Sequence, residues 1–163
     1  MTVFFLRHGI AEEREQWPGT DFDRPLADRG RELLQDEARG IELLGLSIDA
    51  ILSSPLTRAY STAEIVAARL GLLGLLETND LLRPGFNAGK LPELLSRRPR
   101  EGSALLVGHE PDFSATIGVV IGGGRIRCKK GSLVCLELES VSPPKGELLW
   151  VLPPAILARL DGD

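Results

Sequence analysis

Long hydrophobic runs are missing from this sequence. Its apolar opening, Met1 to Leu6, meets Arg7-His8 within a handful of residues and has no basic stretch before it. It is too short for a secretory leader or a membrane span, and reads as a buried first strand. Cysteine is scarce: Cys128 and Cys135 fit neither a secreted disulfide framework nor the paired spacing of a zinc site. Reduced thiols in a cytoplasmic protein are expected. Excess positive charge is absent too, with a net charge of −4 and a pI of about 5.3, so no nucleic-acid partner and no membrane partner is expected. The basic runs Arg97-Arg98-Pro99-Arg100 and Arg125 to Lys130 are short, and a solvated loop explains each. There is no G-x-x-x-x-G-K-[ST] and no G-x-G-x-x-G after the first strand, which removes the nucleotide-binding loops. Gly122-Gly123-Gly124 reads as a turn, and no G-x-S-x-G elbow presents a serine nucleophile. No repeat or low-complexity segment occurs.

What is present is globular: 163 residues, 43% hydrophobic and 26% charged, enough to bury a core without staples. One domain spanning 1–163 is expected. Short apolar runs at Val3 to Leu6, Ala50 to Ser53 and Ala104 to His109 read as buried strands. Between them, helical periodicity covers Gly30 to Leu46 and a segment from Ser54-Pro55 to Gly71, with Ser54 as cap and Pro55 at the first helical position. Residues 10–28 and 79–89 read as loops, and Leu91 to Arg97 as a short helix. A further helix opens at Pro111, and Leu133 to Leu138 and Leu148 to Leu152 form a hairpin or strand pair. Alternating strands and helices predict a three-layer α/β/α sandwich around a mostly parallel sheet.

In open α/β sheets, ligands bind beyond the carboxyl ends of the strands. Arg7-His8-Gly9 and Gly108-His109-Glu110 both fall at such ends, and Arg58 falls in the first turn of the helix after the second strand. These are the only two histidines in the chain. Two arginines supply planar forks that match phosphate oxygens, and a helix start at Ser54 adds free N–H groups and a positive dipole end. An imidazole among cations resists protonation and stays a neutral nucleophile, able to take a phosphoryl group in line. Two histidines among arginines would repel a metal cation, so neither metal nor other cofactor is expected.

Four segments carry a family resemblance. Leu6-Arg7-His8-Gly9-Ile10-Ala11 resembles R-H-G-x-A, and Arg24-Pro25-Leu26-Ala27-Asp28-Arg29-Gly30 resembles R-P-L-x-x-x-G. Ser54 to Ala63 resembles S-P-x-x-R-A-x-x-T-A, and Val107 to Pro111 resembles V-G-H-x-P. In this order the chain resembles the histidine phosphatase superfamily, with its phosphoglycerate-mutase-like fold, and within it the SixA-type phosphohistidine phosphatases. The resemblance implies His8 as the phospho-accepting nucleophile, with Arg7, Arg58 and His109 forming the phosphate pocket beside Ser54. It implies a phosphohistidine-bearing protein as substrate, a histidine-phosphotransfer domain being one kind.

Larger relatives insert a glutamate general acid between the second and third site segments. Here that stretch is short, and its carboxylates Glu77 and Asp80 favour plain surface roles over that of an acid. Phosphohistidine has a labile P–N bond and a good leaving group, and so needs less acid assistance. Two alternatives stay open: a phosphatase of small phosphate esters, for which Asp80 or Glu77 would matter, and a non-catalytic phosphate-binding module on the same scaffold.

Overall fold

The computed structural model describes residues 1–99 and 101–160; Arg100, the end of the first basic run, lies outside them. Six strands form one sheet in the order β3-β2-β4-β1-β5-β6. β1 (Thr2–Arg7), β2 (Ala50–Ser53), β3 (Leu76–Thr78) and β4 (Ser103–Gly108) run parallel. β5 (Leu133–Val141) lies antiparallel against β1 and pairs in turn with antiparallel β6 (Pro144–Leu152). The expected sandwich is therefore present, with a parallel half and an antiparallel edge.

Alternation along the central strands explains the three layers. Val3, Phe5, Leu52 and Leu106 pack on one face, against Leu91 and Leu94 of α3 (Leu91–Leu94) and Phe113 and Ile117 of α4 (Asp112–Val120). Phe4, Leu6, Ile51, Leu105 and Val107 pack on the other, against α1 (Asp28–Leu43), α2 (Thr57–Leu70) and Leu157 of α5 (Pro154–Leu157). Because both faces are covered, these strands read as continuous apolar runs in sequence. Cys128 and Cys135 are buried and unbridged. No helix among the described residues is long and apolar enough to cross a membrane.

The expected elements recur with shifted ends. α1 begins at Asp28, two residues before the predicted start, and Gly30 sits where a side chain would collide with the Ile10 carbonyl oxygen. That close approach gives the last glycine of the R-P-L-x-x-x-G segment its structural reason. α2 starts at Thr57 rather than at Ser54-Pro55; its N-cap is Leu56, without a side-chain cap. The Ser54 hydroxyl instead accepts the Leu56 N–H at 3.4 Å and turns the chain before the helix. The end at Gly71 is as expected: a left-handed φ of 71°, with the Leu72 N–H returning to the Ala67 carbonyl at 2.8 Å. The segment from Leu91 makes one helical turn, to Leu94. β3 was not expected. It is a three-residue edge strand bonded only to β2, too short to show a period. Gly122 to Gly124 form the turn that leaves α4.

Candidate active site

Strand register assembles the site. Arg7 pairs with Gly108 in the parallel β1–β4 ladder, so the next residue of each strand, His8 and His109, leaves the sheet side by side. The His8 N–H donates to the Gly108 carbonyl at 3.0 Å, and the Ser54 N–H to the Val107 carbonyl at 2.9 Å. Three strand ends thus converge, with the two imidazole centroids 5.3 Å apart. Both rings are buried, as are Ser54 and Arg58.

The hydrogen bonds fix how each ring faces the pocket. His8 Nδ1 lies 2.8 Å from the Gly9 carbonyl oxygen, so Nδ1 carries the proton and Nε2 keeps its lone pair. His109 Nε2 lies 2.8 Å from Ser54 Oγ. That bond uses Nε2 and leaves Nδ1 as the ring nitrogen without a partner. Burial pushes the His8 pKa down to about 3 against its hydrogen bond to the Gly9 carbonyl, which raises it; His109, Arg58 and Arg7 lower it further. Burial, with Arg58 next, takes His109 down to about 4. Both imidazoles are neutral at physiological pH.

Arg7 Nη1 donates to the Cys128 carbonyl at 2.9 Å. Arg58 projects from the first turn of α2 and is held by a residue that motif reading missed. Its Nη1 donates to the Asp21 carbonyl at 2.7 Å and its Nη2 to Asp21 Oδ2 at 3.0 Å. Arg24 Nε donates to the other carboxylate oxygen at 2.9 Å and Arg14 Nε lies 3.8 Å from it, so Asp21 joins three arginines. Burial raises the Asp21 pKa, but the hydrogen bond from Arg24 and the charge of Arg58 more than offset this and leave it lowered. Its only sequence signal is an acid three residues before Arg24 in a polar loop. That loop folds back through an Ala11–Leu26 bridge, which lays Asp21 over Arg58. Arg24 therefore clasps the loop, also donating from Nη1 to the Glu12 carbonyl at 2.7 Å.

Thr62 is the threonine of the S-P-x-x-R-A-x-x-T-A segment. Its Oγ1 accepts the Gly9 N–H at 3.0 Å and donates to the Arg58 carbonyl at 2.7 Å, joining the His8 loop to the Arg58 helix. Buried Arg7 Nε, Arg58 Nε and His109 Nδ1 have no protein partner among the described residues. The helix start offers less than expected, because the Thr57 N–H is taken by the Phe22 carbonyl at 3.0 Å.

Glu77 and Asp80 are surface charges. Glu77 pairs with Arg98 and Asp80 with Arg83, each at 2.9 Å. Arg83 lies over the Phe22 ring, 5.4 Å from its centroid, so Asp80 connects to the loop that carries Asp21 through one arginine. Among the described residues, no group of three or more His, Cys, Asp or Glu is placed to hold a metal ion.

Comparison with known proteins identifies the family and the fold. The profile of the histidine phosphatase superfamily (branch 1) matches residues 3–86. An uncharacterised protein of Picosynechococcus is 33% identical over 94% of this chain and 100% of its own length. Among solved structures, the protein histidine phosphatase SixA complexed with tungstate superposes with a TM-score of 0.83 at 25% identity, over 95% of this chain and 98% of that one. A mycobacterial glucosyl-3-phosphoglycerate phosphatase shares the fold with a TM-score of 0.71 at 17% identity, over 91% of this chain and 96% of that one. The architecture is phosphoglycerate-mutase-like, and the chain belongs to the histidine phosphatase superfamily, branch 1.

Proposed function

We propose that this phosphatase hydrolyses phosphohistidine on a protein, by way of a phosphoryl group carried on His8. The observation that carries the reading is the pair of unpartnered buried N–H donors, Arg7 Nε and Arg58 Nε, with His109 Nδ1 also unpartnered, whose side chains surround a neutral His8. Donors fixed before the substrate arrives suit the equatorial oxygens of a transferring phosphoryl group. In the first step His8 Nε2 bonds to phosphorus as the substrate's P–N bond breaks, and the departing imidazole takes a proton from solvent. In the second, water adds to phosphorus, the P–Nε2 electron pair returns to His8 and a proton leaves to solvent.

The carboxylates near the pocket support a substrate with a good leaving group. Asp21 is committed to arginines, and Glu110, next to His109, accepts from Ser114 N at 3.0 Å and Ser114 Oγ at 2.6 Å. Neither of these two is left free to protonate an alkoxide, whereas imidazole leaves readily. A phosphorylated partner protein, a cytoplasmic location and turnover without metal belong to the same reading.

His8→Ala should abolish trapping of radiolabelled phosphoenzyme while the protein stays folded; near-wild-type turnover in a folded variant overturns the mechanism. A panel of phosphohistidine, aryl phosphates and sugar phosphates before and after EDTA dialysis should show the first two cleaved, chelation without effect and sugar phosphates poor. The Asp80–Arg83–Phe22 connection favours one second reading, a small-ester phosphatase. In that case Asp80→Asn should lose most ester turnover.

A further inference from the structure

The basic run from Arg125 to Lys130 reads as a solvated loop in sequence, but the fold puts it against the pocket. It belongs to the connection from α4 into β5. Because β5 is antiparallel to β1, this connection arrives beside the carboxyl end of β1, where the pocket begins. It is stitched there: Arg7 Nη1 donates to the Cys128 carbonyl at 2.9 Å, the Gly131 N–H to the Arg7 carbonyl at 3.1 Å and the Arg7 N–H to the Ser132 carbonyl at 3.2 Å. Arg127, Lys129 and Lys130 line an open trough of about 740 Å³ with Ile10, Pro154 and Arg7 itself.

Several cations elsewhere on the surface are paired. Arg14 and Arg24 pair with Asp21, Arg69 with Glu42, Arg83 with Asp80 and Arg98 with Glu77. Arg125, Arg127, Lys129 and Lys130 form no ion pair among the described residues, on a chain whose net charge is −4. Unpaired like charges along one exposed loop create a local positive field against the sign of the molecule. They are strung along the loop beside an open trough rather than gathered about one point, which suits a polypeptide better than a second small anion.

We infer that Arg127, Lys129 and Lys130 dock an acidic segment of the partner protein, next to the residue whose phosphoryl group enters the His8 pocket. This rests on the phosphohistidine reading above.

The test uses two phosphohistidine peptides identical except for Glu or Lys flanks, with an aryl phosphate as control. The Glu-flanked peptide should show a kcat/KM at least about tenfold higher at low salt, within the range of electrostatic steering. The ratio should shrink as salt rises toward about 500 mM. The triple variant R127E/K129E/K130E should erase it while aryl phosphate turnover stays within about twofold of wild type; R127Q/K129Q/K130Q serves the same purpose should the reversal impair folding. Equal cleavage of the two peptides, or a ratio that survives the variants, overturns docking alone. Equal loss of aryl phosphate turnover assigns the loop to the phosphate pocket and also overturns it. Cleavage of neither peptide, with aryl phosphate still turned over, overturns the phosphohistidine reading and the docking surface together.

Discussion

Replacing Thr62 by valine tests the join between the two halves of the site. Valine has nearly the volume of threonine but cannot accept the Gly9 N–H, now bonded at 3.0 Å to fully buried Oγ1. A buried donor left without a partner costs about 1–3 kcal/mol. The lost donation to the Arg58 carbonyl adds little, because Thr62 lies inside α2 and its hydroxyl only back-bonds one turn. Taking about 2 kcal/mol, and about 2–4 °C per kcal/mol for a chain of this size, the melting temperature should fall by about 4–8 °C. Activity should fall as well. The Gly9 carbonyl orients the His8 ring, and small misplacements of a nucleophile are expensive, so a loss on the order of tenfold in kcat is expected with an aryl phosphate. Thr62→Ser keeps the oxygen and loses a methyl, so it should cost about 1 kcal/mol but restore kcat. Circular-dichroism melts and steady-state rates on the three proteins decide the matter. A Thr62→Val protein melting within a degree or so of wild type, or a Thr62→Ser protein as slow as Thr62→Val, would refute the reasoning.

Arg58→Lys keeps the charge but gives up both bonds to Asp21 and the free Nε–H, so vanadate inhibition should weaken by about tenfold or more; unchanged inhibition removes Arg58 from the pocket. Stability should depend on pH with opposing signs. His8 and His109, lowered from 6.5 to about 3 and about 4, bind protons first in the unfolded chain, so stability falls as pH drops through that window. Glu37, raised by burial and by Asp36 from 4.5 to about 7, binds its proton first in the folded chain, so its contribution is lost as pH rises through that range. Melts from pH 4 to 8 should therefore show a flatter acid side for His8→Asn and a higher neutral end for Glu37→Gln; parallel curves for all three proteins would contradict both assignments.

The sequence made the framework legible because the central strands are covered on both faces and appear as unbroken apolar runs. The strand-end rule then brought Arg7, His8 and His109 to one edge. What stayed hidden depends on tertiary contact. Asp21 reaches Arg58 only because its loop folds back through the Ala11–Leu26 bridge, and no period in a polar loop signals that. Thr62 was visible as a letter in a motif, yet its task appears only when Gly9 is seen above it. Ser54 invited a cap assignment because serine before proline usually is one; here the helix waits until Thr57 and the hydroxyl turns to His109. β3 is too short and too exposed to declare itself.

The junction between β1 and β5 is where the sheet changes direction, and it separates two kinds of freedom to vary. On the parallel side, the pocket is built from strand ends locked in register, where a substitution at Gly108 or Val107 disturbs chemistry and core together. On the antiparallel side, the chain arrives by a loop whose ties to Arg7 run to the carbonyls of Cys128 and Ser132 and from the Gly131 N–H, all of them main-chain groups of the loop. The exposed side chains of this loop, Arg125, Arg127 and Lys129, can therefore drift or be exchanged without moving the nucleophile, while Cys128 stays in the core. A chimera carrying a different loop of equal length should keep its phosphoryl chemistry and change only what it meets, as a tool keeps its handle when the head is swapped.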